Sequence, residues 1–560
     1  MSLFLRRSLT PVAAALLVVT LASAYTLTHP ADIAAAGGLT PANDDKTIAH
    51  VLDRLGYGPR PGDVEKVRRA GVSNYIDQQL HPEKIGDAAL ETRLAPLNTI
   101  DMSTREIAQE YYLPAMAERR RQKQAQGQAD PADPNAPAAS PRLNTKMTDA
   151  MLKQRQVVVE LDQQKILRAA YSERQLEQVL TDFWFNHFNV FAGKGPERIM
   201  LTEYERDVVR PHVLGNFREL LGATAHSPAM LFYLDNWMST DPNGPHTSGM
   251  NDIRQRNRPR RLGVVRPDLA EMMKRQQKNR PTGLNENYGR ELMELHTLGV
   301  DGGYTQKDVV DVARAFTGWT IAQPRQGGGY RFDPRMHDDG EKHVLGHTIK
   351  AGGGEKDGEQ VLDILAHHPS TARFISTKLA RRFVGDDPPQ ALIDRASTRF
   401  LATNGDLREV VRTIVLSPEF FAPDAYRSKV KTPFEFLVSA LRAASADVRG
   451  PGGLIRAMQQ LGMPLYQAQP PTGYADTAEA WVNTGGLVNR MNFALSLVQN
   501  RVPGVHIELS TEPLDSARNH LVQTVLQGNA SDATVETLKK AKDVTQLTAL
   551  ALGAPEFQRR

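Results

Sequence analysis

Asn285-Glu286-Asn287-Tyr288-Gly289-Arg290-Glu291-Leu292-Met293-Glu294-Leu295-His296-Thr297-Leu298-Gly299 reads as one helix with both ends marked. Asn285 is a residue type that caps a first turn, the helix runs to about Thr297, and Gly299 supplies the stop. Tyr288, Leu292 and Leu295 share a stripe and are predicted to face the core. Asn287, Glu291 and Glu294 recur at i, i+4 and i+7, which puts a polar line beside the apolar one. Downstream, Thr305 and Asp308 stand at capping-box spacing, with Asp in the usual place of Glu. The helix they open buries Val309, Val312, Ala313 and Phe316 and stops at Gly318.

The same period extends in both directions. Ile48, Val51, Leu52 and Leu55 predict a helix from Lys46, broken by the turn residues of 55–61. Residues 63–80 read as a second helix and about 145–171 as a longer one. Ser172 is then expected to cap a helix that places Leu176, Val179, Leu180, Phe183 and Trp184 on one face. Residues 358–420, 432–444 and 532–557 are predominantly helical in pattern. Between Tyr330 and Ile349 the period is lost and a small hairpin is predicted. The expected fold class is therefore all-α: a large multi-helix body with one small β-hairpin element. It is read as a single domain over 46–560, with insertions at about 120–143 and 243–281.

Composition narrows the function classes. Cysteine is absent, which removes disulfides, thiolate metal sites and a cysteine nucleophile. Lys plus Arg is 68 against 64 for Asp plus Glu, a net charge of +4, so no nucleic-acid partner is expected. Arg6 and Arg7 followed by the apolar run 11–22 resemble a bacterial export signal, and Ala22-Ser23-Ala24 fits cleavage after Ala24. The Arg pair followed by Ser8-Leu9-Thr10 leaves both the general secretory and the twin-arginine routes open. The run falls short of the roughly 20 apolar residues a bilayer span needs. Residues 1–24 are thus read as a signal peptide and 25–45 as a flexible segment. The expected location is periplasmic or secreted, with no stable membrane span after cleavage. The second insertion holds Arg254, Arg256, Arg258, Arg260, Arg261, Lys274, Arg275, Lys278 and Arg280. It reads as a solvated surface stretch or as a patch for an anionic polymer.

Four stretches together resemble the bacterial family known as domain of unknown function 1800. They are His50-Val51-Leu52-Asp53-Arg54-Leu55-Gly56-Tyr57-Gly58; Phe183-Trp184-Phe185-Asn186-His187-Phe188; the 285–299 helix with Gly303-Tyr304-Thr305 and Arg314-Ala315-Phe316-Thr317-Gly318-Trp319; and His337-Asp338 with Lys342 and Leu345-Gly346. The resemblance implies coverage from about Lys46 to the C-terminus and an exported protein. It also implies a neighbour resembling a secreted sulfatase or alkaline phosphatase as a partner. The long basic insertion before Asn285 departs from the short connection expected of relatives.

The candidate catalytic residues are His187, Glu291, Glu294, His337, Asp338 and Lys342. Glu291 and Glu294, one turn apart, suit acid–base work or a divalent cation. The structural alternative is an Arg290–Glu294 ion pair with Glu291 bonded to a neighbouring helix. His296 lies near the Leu292 face and suits a buried, satisfied histidine. His187 closes an aromatic helix beside Asn186, where packing plus one hydrogen bond competes with a ligand role. His337 and Asp338 sit in a predicted loop, with Lys342 placed to counter an anionic group and His343 and His347 adding imidazoles near a divalent-metal candidate. No Gly-x-Ser-x-Gly elbow, His-Glu-x-x-His or P-loop occurs. The expectation is a hydrolase, metal-assisted or not, acting on an envelope or extracellular polymer. In it Glu291 or His337 moves the proton, and Lys342 or the metal holds developing charge. The alternative is a non-catalytic scaffold or glycan-binding partner of the sulfatase-like protein.

Overall fold

Several helices in this chain start where the sequence supplies a capping side chain. In the computed structural model, which describes residues 40–127, 147–244 and 283–560, Asp44 caps the Asp45–Arg54 helix through Thr47 N. Full capping boxes open Gln306–Ala315 at Thr305 with Asp308 and Pro433–Ala443 at Thr432 with Glu435. The export signal, the insertion beyond Gly127 and the basic stretch from 245 to 282 lie outside the described residues. Residues 40–560 cluster as one compact unit. No described helix is long and apolar enough to cross a membrane.

The chain is predominantly helical around one hydrophobic core that runs from Ile48 to Phe557. The described residues also form three two-stranded antiparallel sheets. β1 (Trp319–Ile321) pairs with β2 (Tyr330–Phe332), β3 (Lys342–Val344) with β4 (His347–Ile349), and β5 (Asp447–Val448) with β6 (Val505–His506). The one hairpin expected near 330–349 is therefore two strand pairs, because Tyr330 pairs back with Ile321 and not forward. The β3–β4 turn is tight: Leu345 and Gly346 both take positive φ, as a primed hairpin turn requires.

Three boundaries differ from the sequence reading. The 63–80 helix is two, Asp63–Ala70 and Val72–Leu80, split at Gly71 with φ of 86°. Ser172 does not cap at its own position. Its Oγ accepts from Arg174 N and donates to Asp87, and the helix runs Gln175–His187. Leu176, Val179, Leu180, Phe183 and Trp184 are buried on that helix as expected.

The third concerns the 285–299 segment. It is an α-helix over Asn287–Glu291 and then a π-helical turn over Leu292–Thr297. Leu298 N bonds Met293 O at 2.8 Å, and Thr297 Oγ1 donates to Leu292 O at 2.7 Å. The wider turn changes which side chains face inward, so Met293 is fully buried and Leu295 is partly exposed. Gly289 lets this segment meet the Gln306–Ala315 helix. A Cβ there would stand 3.0 Å from Ala313 N and 3.1 Å from Val309 O, both backbone atoms that cannot rotate away. Gly289→Val is expected to destabilise by about 1–3 kcal/mol through overpacking. A urea midpoint indistinguishable from wild type would show that the helices can separate freely.

Candidate functional site

His337, Asp338 and Lys342 come together, and they do so inside the protein. The Gln306–Ala315 helix sends Arg314 onto Asp338 in a two-bond pair of 2.8 and 3.0 Å and onto Asp311 at 2.6 Å. Asp311 and Asp308 also accept the backbone N–H groups of His343 and Leu345, which clamps the β3–β4 hairpin to the helix. Burial pushes the Asp338 carboxyl up, but Arg314 and the Gly340 N–H hold it below the usual range. Lys342 is 0% exposed and donates to Asp338 O, Gly340 O and Asp357 Oδ2 at 2.5, 2.8 and 2.7 Å. His337, also 0% exposed, bonds Thr317 O through Nδ1 at 2.8 Å and faces Asp357 Oδ2 through Nε2 at 3.3 Å. Every side-chain nitrogen of His337 and Lys342 thus has an internal partner. His343 and His347 point away into solvent. Among the described residues no group of three or more His, Asp or Glu side chains is placed to hold a metal ion.

His187 meets the 285–299 segment. Its Nε2 donates to His296 O at 3.1 Å, and Nδ1 has no partner among the described residues. The ring lies edge-on to Phe188 and Trp184. Burial, with Lys378 and His296 adding to it, pushes its pKa well down, so the imidazole is neutral. Burial and Lys378 likewise lower His296 to about 3. Asn186 is a clasp: its side chain pairs with both N and O of Tyr474, against Gly473, where a Cβ would meet Asn186 Oδ1 at 2.4 Å.

The carboxyl pair is different. Arg290 bonds Glu286 and Gln306, and no ion pair joins it to Glu294. Among the described residues Glu294 accepts only the Tyr304 hydroxyl, at 3.3 Å. Glu291 makes no hydrogen bond or ion pair with any described residue, although it is half-buried. The structural alternative drawn from sequence is therefore absent for both residues. Burial, and then the Glu294 charge, raise the Glu291 pKa. The nearby Tyr233 hydroxyl, which donates to Gln469 O at 2.6 Å, is pushed up to about 12 by burial and by Glu291. A raised carboxyl, a second carboxylate one turn away and two phenols make a set that can give or take a proton.

The family model described as protein of unknown function, DUF1800, matches residues 50–559, nearly the whole chain. The chain belongs to the DUF1800 family. No curated protein and no solved structure matches it. In this DUF1800 member the six candidate residues fall into three separate groups. Among the described residues no hydrogen bond or ion pair joins Glu291 or Glu294 to His187 or to the His337–Lys342 network. Sequence reasoning missed Asp357, the anion on which His337 and Lys342 converge, because nothing marks it in the pattern 352–358. Tyr304 was visible as part of Gly303-Tyr304-Thr305, but its reach back to Glu294 depends on the chain reversal at Gly299 and Gly303, both at positive φ.

Proposed function

We propose that the protein is an exported hydrolase of an envelope or extracellular polymer, with Glu291 as its proton-transfer group. The Glu291 carboxyl carries this reading. It is half-buried and unpaired among the described residues, and its pKa is raised by burial and by Glu294. A general acid at ordinary pH needs those conditions, and a structural carboxylate normally avoids them. Glu294, oriented by Tyr304, supplies the second carboxylate. The π-helical turn that starts beside Glu291 supports the reading, since such turns concentrate at functional sites. Export is supported by Arg6, Arg7 and the apolar run after them. His337, Asp338 and Lys342 then act by holding the hairpin beside the Gln306–Ala315 helix, and His187 by packing.

The test is turnover of labelled peptidoglycan, envelope polysaccharide and polyester by the wild-type chain beside Glu291→Ala. Turnover by wild type that is lost in a folded Glu291→Ala supports the assignment. Equal turnover by both removes Glu291 from the mechanism. A second reading, a scaffold or glycan-binding partner of a sulfatase-like protein, is favoured by one feature. On the Thr484–Val498 helix Leu487, Val488, Met491 and Leu495 form an outward apolar line, opposite the buried face of Phe493, Ala494 and Leu497.

A further inference from the structure

A cleft of about 420 Å³ opens where the Thr104–Ile107, Phe217–His226 and Pro228–Tyr233 helices meet the loop 327–329. Neither Glu291 nor Glu294 lines it. Its wall is mainly apolar, with Met200, Tyr204, Val208, Pro228, Ala229 and Tyr330 on it. His226 belongs to the wall as a ring. Its Nδ1 donates to Gly222 O at 2.8 Å and its Nε2 faces Glu359 at 3.1 Å, so neither nitrogen is free for a ligand. The ring lies 4.4 Å from that of Trp319 and 4.6 Å from that of Tyr330. The loop comes in close because Gly327 is a glycine. It has φ of 69°, and a Cβ there would collide with Thr104 O and stand 2.7 Å from Arg105 Cα. Gly327 and Arg105 are therefore side by side at one edge of the cleft.

The polar groups on the lining divide into two kinds. The acids are engaged. Glu203 accepts the Thr104 N–H at 2.9 Å and the Thr104 hydroxyl, and Asp207 takes two bonds from Arg206 at 2.8 and 2.6 Å. What the lining leaves without a partner are donors. Ser227 is 4% exposed, and its hydroxyl makes no hydrogen bond among the described residues, not even to the helix it precedes. The N–H of Gly328, a buried residue, has no acceptor among the described residues. Arg105 is exposed at the rim and has neither hydrogen bond nor ion pair there. Buried donors normally find acceptors, so a ligand that brings one gains on binding. An apolar wall with a few convergent donors is the usual make-up of a small-molecule site. Free donors, one of them a guanidinium, select an anionic acceptor, and a carboxylate suits them. A cavity of roughly 150 Å³ takes benzene, so this cleft has room for a chain of about ten carbons.

We propose that this cleft binds a medium-chain fatty carboxylate, its tail against the apolar wall and its head towards Arg105 and Gly328. The tail leaves water for an apolar surface, and the head exchanges water for a guanidinium and an N–H. No covalent bond is made or broken.

The test is isothermal titration of the full chain with decanoate, decanol and decylammonium. Decanoate is expected to saturate one site. Decanol is expected to bind about tenfold more weakly for want of charge-assisted bonds, and decylammonium not at all. Arg105→Glu, an exposed substitution that leaves the core untouched, is expected to weaken decanoate about tenfold or more. Ala223→Trp, checked for fold by circular dichroism, puts a large ring on the lining and is expected to abolish binding. A decanoate analogue with a terminal diazirine is expected, on irradiation, to mark cleft residues such as Met200 and Tyr204. The proposal is overturned by the lack of a saturable decanoate site, by equal affinity for decanoate and decylammonium, or by unchanged binding in Arg105→Glu. Crosslinks found only outside the cleft overturn it as well. Turnover at Glu291 enters none of these readings.

Discussion

Asp357→Ala is expected to destabilise the folded chain by about 3–5 kcal/mol, the usual cost of leaving a buried charge without its partner. Asp357 is 0% exposed, as are Lys342 and His337, and one carboxylate oxygen serves both. Without it the Lys342 ammonium keeps two carbonyl oxygens and no opposite charge at bonding distance, since Asp338 Oδ1 is 4.0 Å away. Water cannot easily replace the anion. Trp319 packs on Gly358, so closely that a Cβ there would meet its ring at 2.5 Å. Equilibrium urea unfolding measures the loss. The double variant Asp357→Leu with Lys342→Met separates the pair's net worth from the cost of breaking it. Buried ion pairs replaced whole by apolar groups often cost little. The double variant is therefore expected to recover most of the stability. If Asp357→Ala lies within about 1 kcal/mol of wild type, the network does not hold this segment in place.

The helical body was legible because period and caps coincide. Thr305 with Asp308 is the plainest case: the pattern marks the start of a helix, and the structure forms both reciprocal bonds. What could not be read was the turn type inside the 285–299 helix. A π-helical turn leaves no mark in a short polar–apolar pattern, so the pattern points Leu295 at the core, and Met293 occupies it. The clustering of His337, Asp338 and Lys342 was legible as proximity in sequence. Their burial was not, because a loop of His, Asp and Lys looks solvated until Asp357, Arg314 and the backbone carbonyls are known to enclose it.

Glu291→Gln is expected to lower kcat/KM by about 10²–10⁴-fold on the polymer that the wild-type chain turns over, the usual range for a lost general acid or base. The amide keeps the shape and cannot yield a proton, so folding should be unaffected and KM nearly unchanged. The pH profile tests the role more sharply. As a general acid Glu291 must be protonated, so activity falls as pH rises through its pKa. Burial and Glu294 place that alkaline limb above the ordinary carboxylate range. Glu294→Gln removes the like charge one turn away, which lets Glu291 ionise more readily and lowers its pKa. The alkaline limb should therefore move to lower pH while maximal activity at acid pH is largely kept. A structural role for Glu294 would reduce activity at every pH and leave the limb in place. A limb that moves to higher pH would show that Glu294 does not act on Glu291 through its charge, since removing a nearby negative charge makes a carboxyl easier to ionise.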